Sequence, residues 1–188
     1  MEKFELADSF MDEFRNKQPA WGAIGYITFK RTYARPLEDG STEEFWQTVK
    51  RVVEGTYTIQ INHFEKNKLP YNLDELQEEA QEMYRRMWEF KFTPPGRGLW
   101  MMGTEHVMEK GGAALNNCAF ISTANITEDF AEPFCFLMDM SMLGVGVGGD
   151  VRGAGPIEIQ KPTTSTFEEF VVQDTREGWV DLLRMLLR

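Results

Sequence analysis

The chain has 188 residues, long enough for one ordinary domain with a real core, and its 42% hydrophobic content with Phe 14, Trp 5 and Met 11 excludes a disordered chain. A formal net charge of −10 repels polyanions, and no Lys/Arg block is present to neutralise phosphates in bulk, so no nucleic-acid partner is expected. A small nucleotide is not excluded, because backbone amides bind phosphate whatever the net charge.

The start, Met1-Glu2-Lys3-Phe4-Glu5, has no basic region followed by an apolar one, and no later run approaches the ~18 apolar residues that would span a bilayer. The expectation is a cytoplasmic protein with no membrane partner. Cys118 and Cys135 make no disulfide framework, and with the separated His63 and His106 they make a poor ligand set, so no metal site is expected.

In chain order, Phe4, Ala7, Phe10, Met11 and Phe14 stand at helical spacing and predict an amphipathic helix over residues 3–17, ended by Pro19. Trp21 to Phe29 reads as an aromatic loop or short strand. In the following Lys30-Arg31-Thr32-Tyr33-Ala34-Arg35, the three cations either hold a phosphate or carboxylate or form a solvated, ion-paired face. Ser41 with Glu44 has the form of a capping box, which starts a helix near residue 42 with the stripe Phe45, Trp46, Val49, Val52, Val53 and Tyr57. Asn72 with Glu75 repeats the device before Leu73, Leu76, Ala80, Met83, Tyr84, Met87 and Trp88, a second helix stopped before Thr93-Pro94-Pro95.

From residue 97 short apolar runs broken by Gly98, Gly103, Gly111 and Gly112 predict strands and tight connections, so an α region gives way to an α/β region. Leu115 to Ile121 reads as a buried strand. Thr127 is a candidate N-cap for a helix whose buried face is Phe130, Phe134, Leu137, Met138 and Ser141, with Pro133 able to move the start by a few residues. A strand is expected at Ile157-Glu158-Ile159, a polar turn at Thr163–Thr166, and a last helix from Asp174 with Trp179, Val180, Leu182, Leu183, Leu186 and Leu187 as its apolar positions. So much leucine at the final residues reads as a helix cut short or completed by another chain.

A lone cysteine in an apolar strand is ordinarily a small core residue. Asn116 and Asn117 argue the other way for Cys118, since amides are poor strand formers and fit a polar cavity at a strand end facing a ligand. Cys135, in Pro133-Phe134-Cys135-Phe136, reads as packing. The run Gly144-Val145-Gly146-Val147-Gly148-Gly149 is either a phosphate cradle or a turn leading into a strand; it lacks the Lys-Ser/Thr of a P-loop and follows a helix, unlike a dinucleotide fingerprint. Asp150 is a ligand or a turn residue.

Taken in order, Trp21-Gly22 through Arg35, Pro95-Gly96-Arg97, Leu99-Trp100, Gly103-Thr104, Leu115-Asn116-Asn117-Cys118, Gly146-Val147-Gly148 and Asp174 to Trp179 resemble the N-terminal part of monomeric adenosylcobalamin-dependent (class II) ribonucleotide reductases. The resemblance implies an α/β fold, with an N-terminal mainly helical region at 1–92 and, at 93–188, the first part of a ten-stranded α/β barrel that is incomplete in this chain. It implies that Cys118 is one of two cysteines that reduce the ribose, and that Asn117, Arg97, Gly98, Gly146 and Gly148 line the substrate. The radical cysteine, its Glu and Asn partners and the second reducing cysteine are expected further along the barrel. Phe120 to Pro133 is too short for the family's effector-binding insertion.

Adenosylcobalamin is the implied cofactor, bound mainly outside this chain. The implied partners are a ribonucleotide substrate, the remaining barrel segment in the same or a separate polypeptide, and a thioredoxin-like reductant. The alternative is a non-catalytic nucleotide-binding or assembly module derived from the same fold.

Overall fold

The computed structural model describes residues 3–155, 157–160 and 169–187, and the chain divides into two compact units, Met1–Leu115 and Asn116–Arg188.

The first unit is helical. Its centre is α3 (Phe45–Lys66) packed on α4 (Leu73–Trp88): from the stripes read in the sequence, Val49, Val52, Val53 and Tyr57 bury with Leu76, Ala80, Tyr84 and Met87, and Ile61 extends the first stripe by a turn. Burying each such side chain contributes about 1.5–3 kcal/mol relative to leaving it in water. Asn72 caps α4, accepting from the Asp74 N–H at 3.0 Å, and its amide donates to Glu75. The cap of α3 falls later than expected. Glu44 and Gln47 form the capping box, the Glu44 N–H donating to Gln47 Oε1 at 2.8 Å, while Ser41 donates back to Asp39 at 2.6 Å.

The predicted helix over residues 3–17 is reduced to α1 (Asp8–Met11) behind an extended lead. The lead's backbone donors are taken by helix side chains, Phe4 N–H by Thr58 Oγ1 at 3.0 Å and Leu6 N–H by Glu54 Oε1 at 2.9 Å. Satisfied amides remove the need for helical bonds, and the alternation of an extended chain lets Phe4 and Leu6 both bury. Most of the stretch from Trp21 to Phe29, expected as loop or strand, lies in α2 (Ala23–Thr32), which buries Phe29 against Trp21 and Phe45 and leaves Ile24 and Ile27 exposed.

The glycine-broken stretch after residue 96 is also helical, as α5 (Gly96–Met101), α6 (Glu105–Lys110) and a 3₁₀ turn Gly112–Leu115, so the expected strands do not form there. The reason lies at Gly55 and Gly103. A Cβ on Gly55 would stand 2.2 Å from the Gly103 Cα, so two missing side chains let α3 and the turn after α5 touch backbone to backbone.

The second unit is a β-α-β arrangement. β1 (Cys118–Ile121) and β2 (Gly146–Gly149) pair in parallel, Cys118 opposite Gly146 and Phe120 opposite Gly148, with α7 (Glu132–Met142) between them in sequence. Pro133 does move the helix start, and the buried positions are Ala131, Pro133 and Cys135; Phe134 and Leu137, expected inside, are exposed. α8 (Arg176–Leu186), capped by Thr175, packs on α7 and is tied to it by Arg176 to Asp139 at 2.7 Å and Arg184 to Glu132 at 2.5 Å, and to the turn before it by Arg184 to Asp129 at 2.8 Å. Ile157–Ile159 form no strand, and the turn expected at Thr163–Thr166 lies outside the described residues.

Candidate functional site

β1 puts alternate side chains on opposite faces of a two-stranded sheet. Ala119 and Ile121 are half-buried, on the side where α7 packs, whereas Cys118 and Phe120 are exposed, Phe120 at 64%. The run is apolar because one of its faces is covered and the other carries one large ring. Cys118 is therefore a free, exposed thiol in this chain, not the buried residue that its apolar neighbours suggested.

No side chain of β2 stands beside it. Gly146 and Gly148 lie opposite Cys118 and Phe120, and the Gly146 N–H donates to the Asn117 carbonyl at 2.9 Å. A Cβ on Gly146 would meet only the Asn117 carbonyl oxygen, at 3.6 Å, and one on Gly148 only Phe120 Cδ2, at 3.5 Å, both ordinary contacts. Among the described residues, nothing in the packing requires glycine at either position. Gly153 differs, since its Cβ would fall 2.1 Å from the Thr123 carbonyl oxygen. The run is a strand led into by a turn at Gly144, φ +74°. The exposed Asn117 carboxamide meets no hydrogen-bond partner among the described residues.

Asp150 closes the far end of the strand pair. Its carboxylate accepts from Ser122 Oγ at 2.8 Å, from the Thr123 N–H at 3.0 Å and from the Arg152 N–H at 3.1 Å. These donors, the Ser122 hydroxyl first, hold its carboxyl at about 2, below the ordinary aspartate value. Of the two roles open to it, the turn residue is the one these bonds describe. Cys135 is 2% exposed, with Sγ 3.9 Å from the Val180 carbonyl oxygen, and packs as expected.

Arg97 and Gly98 sit on α5, in the first unit. Arg97 is half-buried, with Nη1 3.4 Å from the Ala114 carbonyl and its guanidinium carbon 5.9 Å from the Trp100 ring centre. Gly98 answers to local packing, since its Cβ would lie 2.8 Å from Pro94 Cβ.

What holds α5 was not evident from sequence. Glu43, 4% exposed, binds Arg51 through both oxygens, at 2.7 and 2.9 Å, and accepts from Thr48 Oγ1 at 2.7 Å and from the Arg35 N–H at 3.1 Å. Arg51 in turn donates to the carbonyls of Leu99, at 2.8 Å, and Met102. The available signal was the spacing of Glu43, Thr48 and Arg51 along one side of the helix start. Of the neighbouring cations, Lys30 is taken by Glu44 at 2.9 Å and by the Thr42 and Glu43 carbonyls, which is the ion-paired reading.

Among the described residues no group of three or more His, Cys, Asp and Glu side chains is placed to hold a metal ion, and no helix is long and apolar enough to cross a membrane.

A helical unit followed in sequence by two parallel strands joined through a helix makes this an α/β chain, with the Cys118 thiol opposite glycine in the strand pair. The family model of the ribonucleotide reductase alpha domain matches residues 6–104, and the chain belongs to that family. It is 46% identical over its whole length to the adenosylcobalamin-dependent ribonucleoside-triphosphate reductase of Euglena gracilis, covering 26% of that protein. It is 33% identical to the enzyme of the same description from Lacticaseibacillus paracasei, with 96% of this chain and 26% of the relative covered. A crystal structure of a B-12 dependent (class II) ribonucleotide reductase superposes with a TM-score of 0.76 at 28% identity, covering 98% of this chain and 32% of that one. The chain thus spans about a quarter of the length of these curated relatives.

Proposed function

We propose that this chain supplies one reducing thiol and part of the substrate wall of an adenosylcobalamin-dependent ribonucleotide reductase. The observation that carries the reading is Cys118 on an exposed strand face, opposite Gly146 and next along from Gly148, two glycines that the packing of the described residues does not require. Missing Cβ atoms there leave room for a ligand to lie against backbone within reach of the thiol.

The reaction such a site would serve is replacement of the ribose 2′-hydroxyl by hydrogen. Two thiols give up two electrons and two protons, the hydroxyl leaves as water, and the sulfurs join as a disulfide. Cys118 is one of the two. Cys135, enclosed by α7 and α8, is unsuited to be the other, so the second belongs to the remaining barrel segment, in the same polypeptide or a separate one. The Asn117 carboxamide can hold a ribose hydroxyl beside Gly146 and Gly148, and the family resemblance is what assigns Arg97 and Gly98 to the substrate as well. A thioredoxin-like reductant would reopen the disulfide in a cytoplasmic setting. In this reading β1 and β2 are the first strands of a ten-stranded barrel, with residues 1–92 as its helical lead and 93–188 as its beginning.

Adenosylcobalamin would supply the radical that activates the substrate. The residues around Cys118 do not fit that cofactor: the strand pair offers only the thiol, Phe120 and glycine on its exposed positions, and the second unit has no histidine to offer cobalt. Its binding falls to the rest of the enzyme.

The test is a turnover assay of this chain together with the remaining barrel segment, using ribonucleoside triphosphates, adenosylcobalamin and a dithiol. Deoxyribonucleotide formation that needs this chain supports the reading. Equal activity of the remaining segment without it contradicts it.

A further inference from the structure

Resting on the reductase reading of Cys118, we propose that Phe120 is a positioning residue for the substrate: its ring packs against the ribose and fixes how far along β1 the sugar lies from the thiol.

Cys118 and Phe120 stand on the same face of β1, two residues and about 6.6 Å apart along the strand. Across the pair, the two glycines of β2 are not alike. A Cβ on Gly148 would find Phe120 Cδ2 at 3.5 Å, so the ring leans over that glycine and fills the space that a side chain there would use. A Cβ on Gly146, opposite Cys118, would meet the Asn117 carbonyl oxygen at 3.6 Å and neither the thiol nor the ring. Among the described residues, the strip of backbone beside the thiol is therefore bare, and the ring closes one end of it.

An aromatic ring over a strand glycine shields the backbone there, which accounts for Phe120 at Gly148. It does not account for Gly146. Glycine inside a strand weakens it and marks a bulge, a bend or the close approach of a ligand, and the regular register from Cys118–Gly146 to Ile121–Gly149 shows no bulge. A ribose laid on the Gly146 backbone has the thiol across the strand pair from it and the edge of the ring ahead of it. Its C–H groups gain by burial against the ring, which is 64% exposed in this chain and has that surface to give. The ring carries no donor or acceptor, so it holds the sugar without competing for the 2′-hydroxyl.

The test is protection of Cys118 from a maleimide by CTP in the assembled enzyme, this chain together with the remaining barrel segment, read by mass mapping of the peptide that carries Cys118. Wild type is expected to be protected as CTP is raised. Phe120→Ala is expected to need about tenfold more CTP for half protection, the effect of losing one apolar contact. Phe120→Tyr, which keeps the ring, is expected to stay within about twofold of wild type, and Phe120→Leu, which keeps part of the apolar bulk, to fall between. In turnover, KM should follow the same order. Melting temperatures of the assembled variants are measured beside these, because a ring that served only to pack the barrel would lower them and leave protection unchanged.

Half protection of Phe120→Ala at the wild-type CTP concentration overturns the proposal and leaves the role of Cys118 intact. Failure of Phe120→Tyr to the same degree as Phe120→Ala also overturns it, since the ring would then not be what seats the sugar. An absence of protection in wild type at any CTP concentration is a different failure, because it removes the substrate from Cys118 and defeats the reductase reading as well.

Discussion

Arg51 and Glu43 are joined by two parallel hydrogen bonds, Nε to Oε1 at 2.7 Å and Nη2 to Oε2 at 2.9 Å, and the same guanidinium holds two carbonyls at the C-terminal end of α5. With side-chain exposures of 15% and 6%, the pair is largely out of water, where an orphaned partner is expensive. Arg51→Ala is predicted to destabilise the chain by about 3–5 kcal/mol, read from urea unfolding. The double change Arg51→Met with Glu43→Leu is expected to cost less than Arg51→Ala, since it leaves no buried charge unpaired.

Two sets of glycines should respond oppositely to a methyl group. Gly55→Ala drives a Cβ to within 2.2 Å of Gly103 Cα and should lose about 1–3 kcal/mol or more of stability. Gly148→Ala meets Phe120 at an ordinary 3.5 Å and should stay within about 0.5 kcal/mol of wild type, while lowering kcat/KM of the assembled enzyme. Chemical unfolding beside turnover separates the two cases.

Acid should loosen the end of the strand pair through Asp150. Its folded pKa, about 2, lies below the ordinary value of 3.8, so the unfolded chain takes up the proton first as pH falls. The stabilisation is complete above the ordinary value and is lost as pH drops through about 2. Melting temperatures of wild type and Asp150→Asn should therefore differ by a constant amount at neutral pH and converge between about pH 4 and 2.

The two thiols should be separable by modification. An exposed Cys118 and a Cys135 at 2% exposure predict one fast and one slow cysteine in this chain with a maleimide reagent, and mass mapping should find the fast label on Cys118. Fast labelling of Cys135 would contradict its place between α7 and α8.

Much of the helical core was legible because periodicity reports it directly. The stripes of α3 and α4 and the Asn72 cap appear where the sequence places them, and α8 starts after its Thr175 cap. The misses have physical causes. Ser41-x-x-Glu44 and Glu44-x-x-Gln47 are overlapping capping patterns, and the second closes while Ser41 is taken by Asp39. α2 carries Gly25 and β-branched residues that are weak helix formers, and its one buried ring, Phe29, gives almost no stripe. The short helices around residues 96–115 depend on the Gly55–Gly103 approach, a contact distant in sequence. At the candidate site, Asn117, Cys118, Gly146 and Gly148 do meet on one strand pair, but the exposure of Cys118 follows from which face α7 covers, and an apolar run does not carry that information.

The most direct test of the central claim is the turnover of Cys118→Ser in the assembled enzyme with a dithiol reductant. The serine hydroxyl can neither give up the reducing electrons nor enter a disulfide, so the account predicts loss of multiple turnover while the variant remains folded and binds substrate. Normal multiple turnover by Cys118→Ser would remove the thiol from the chemistry and the reading with it.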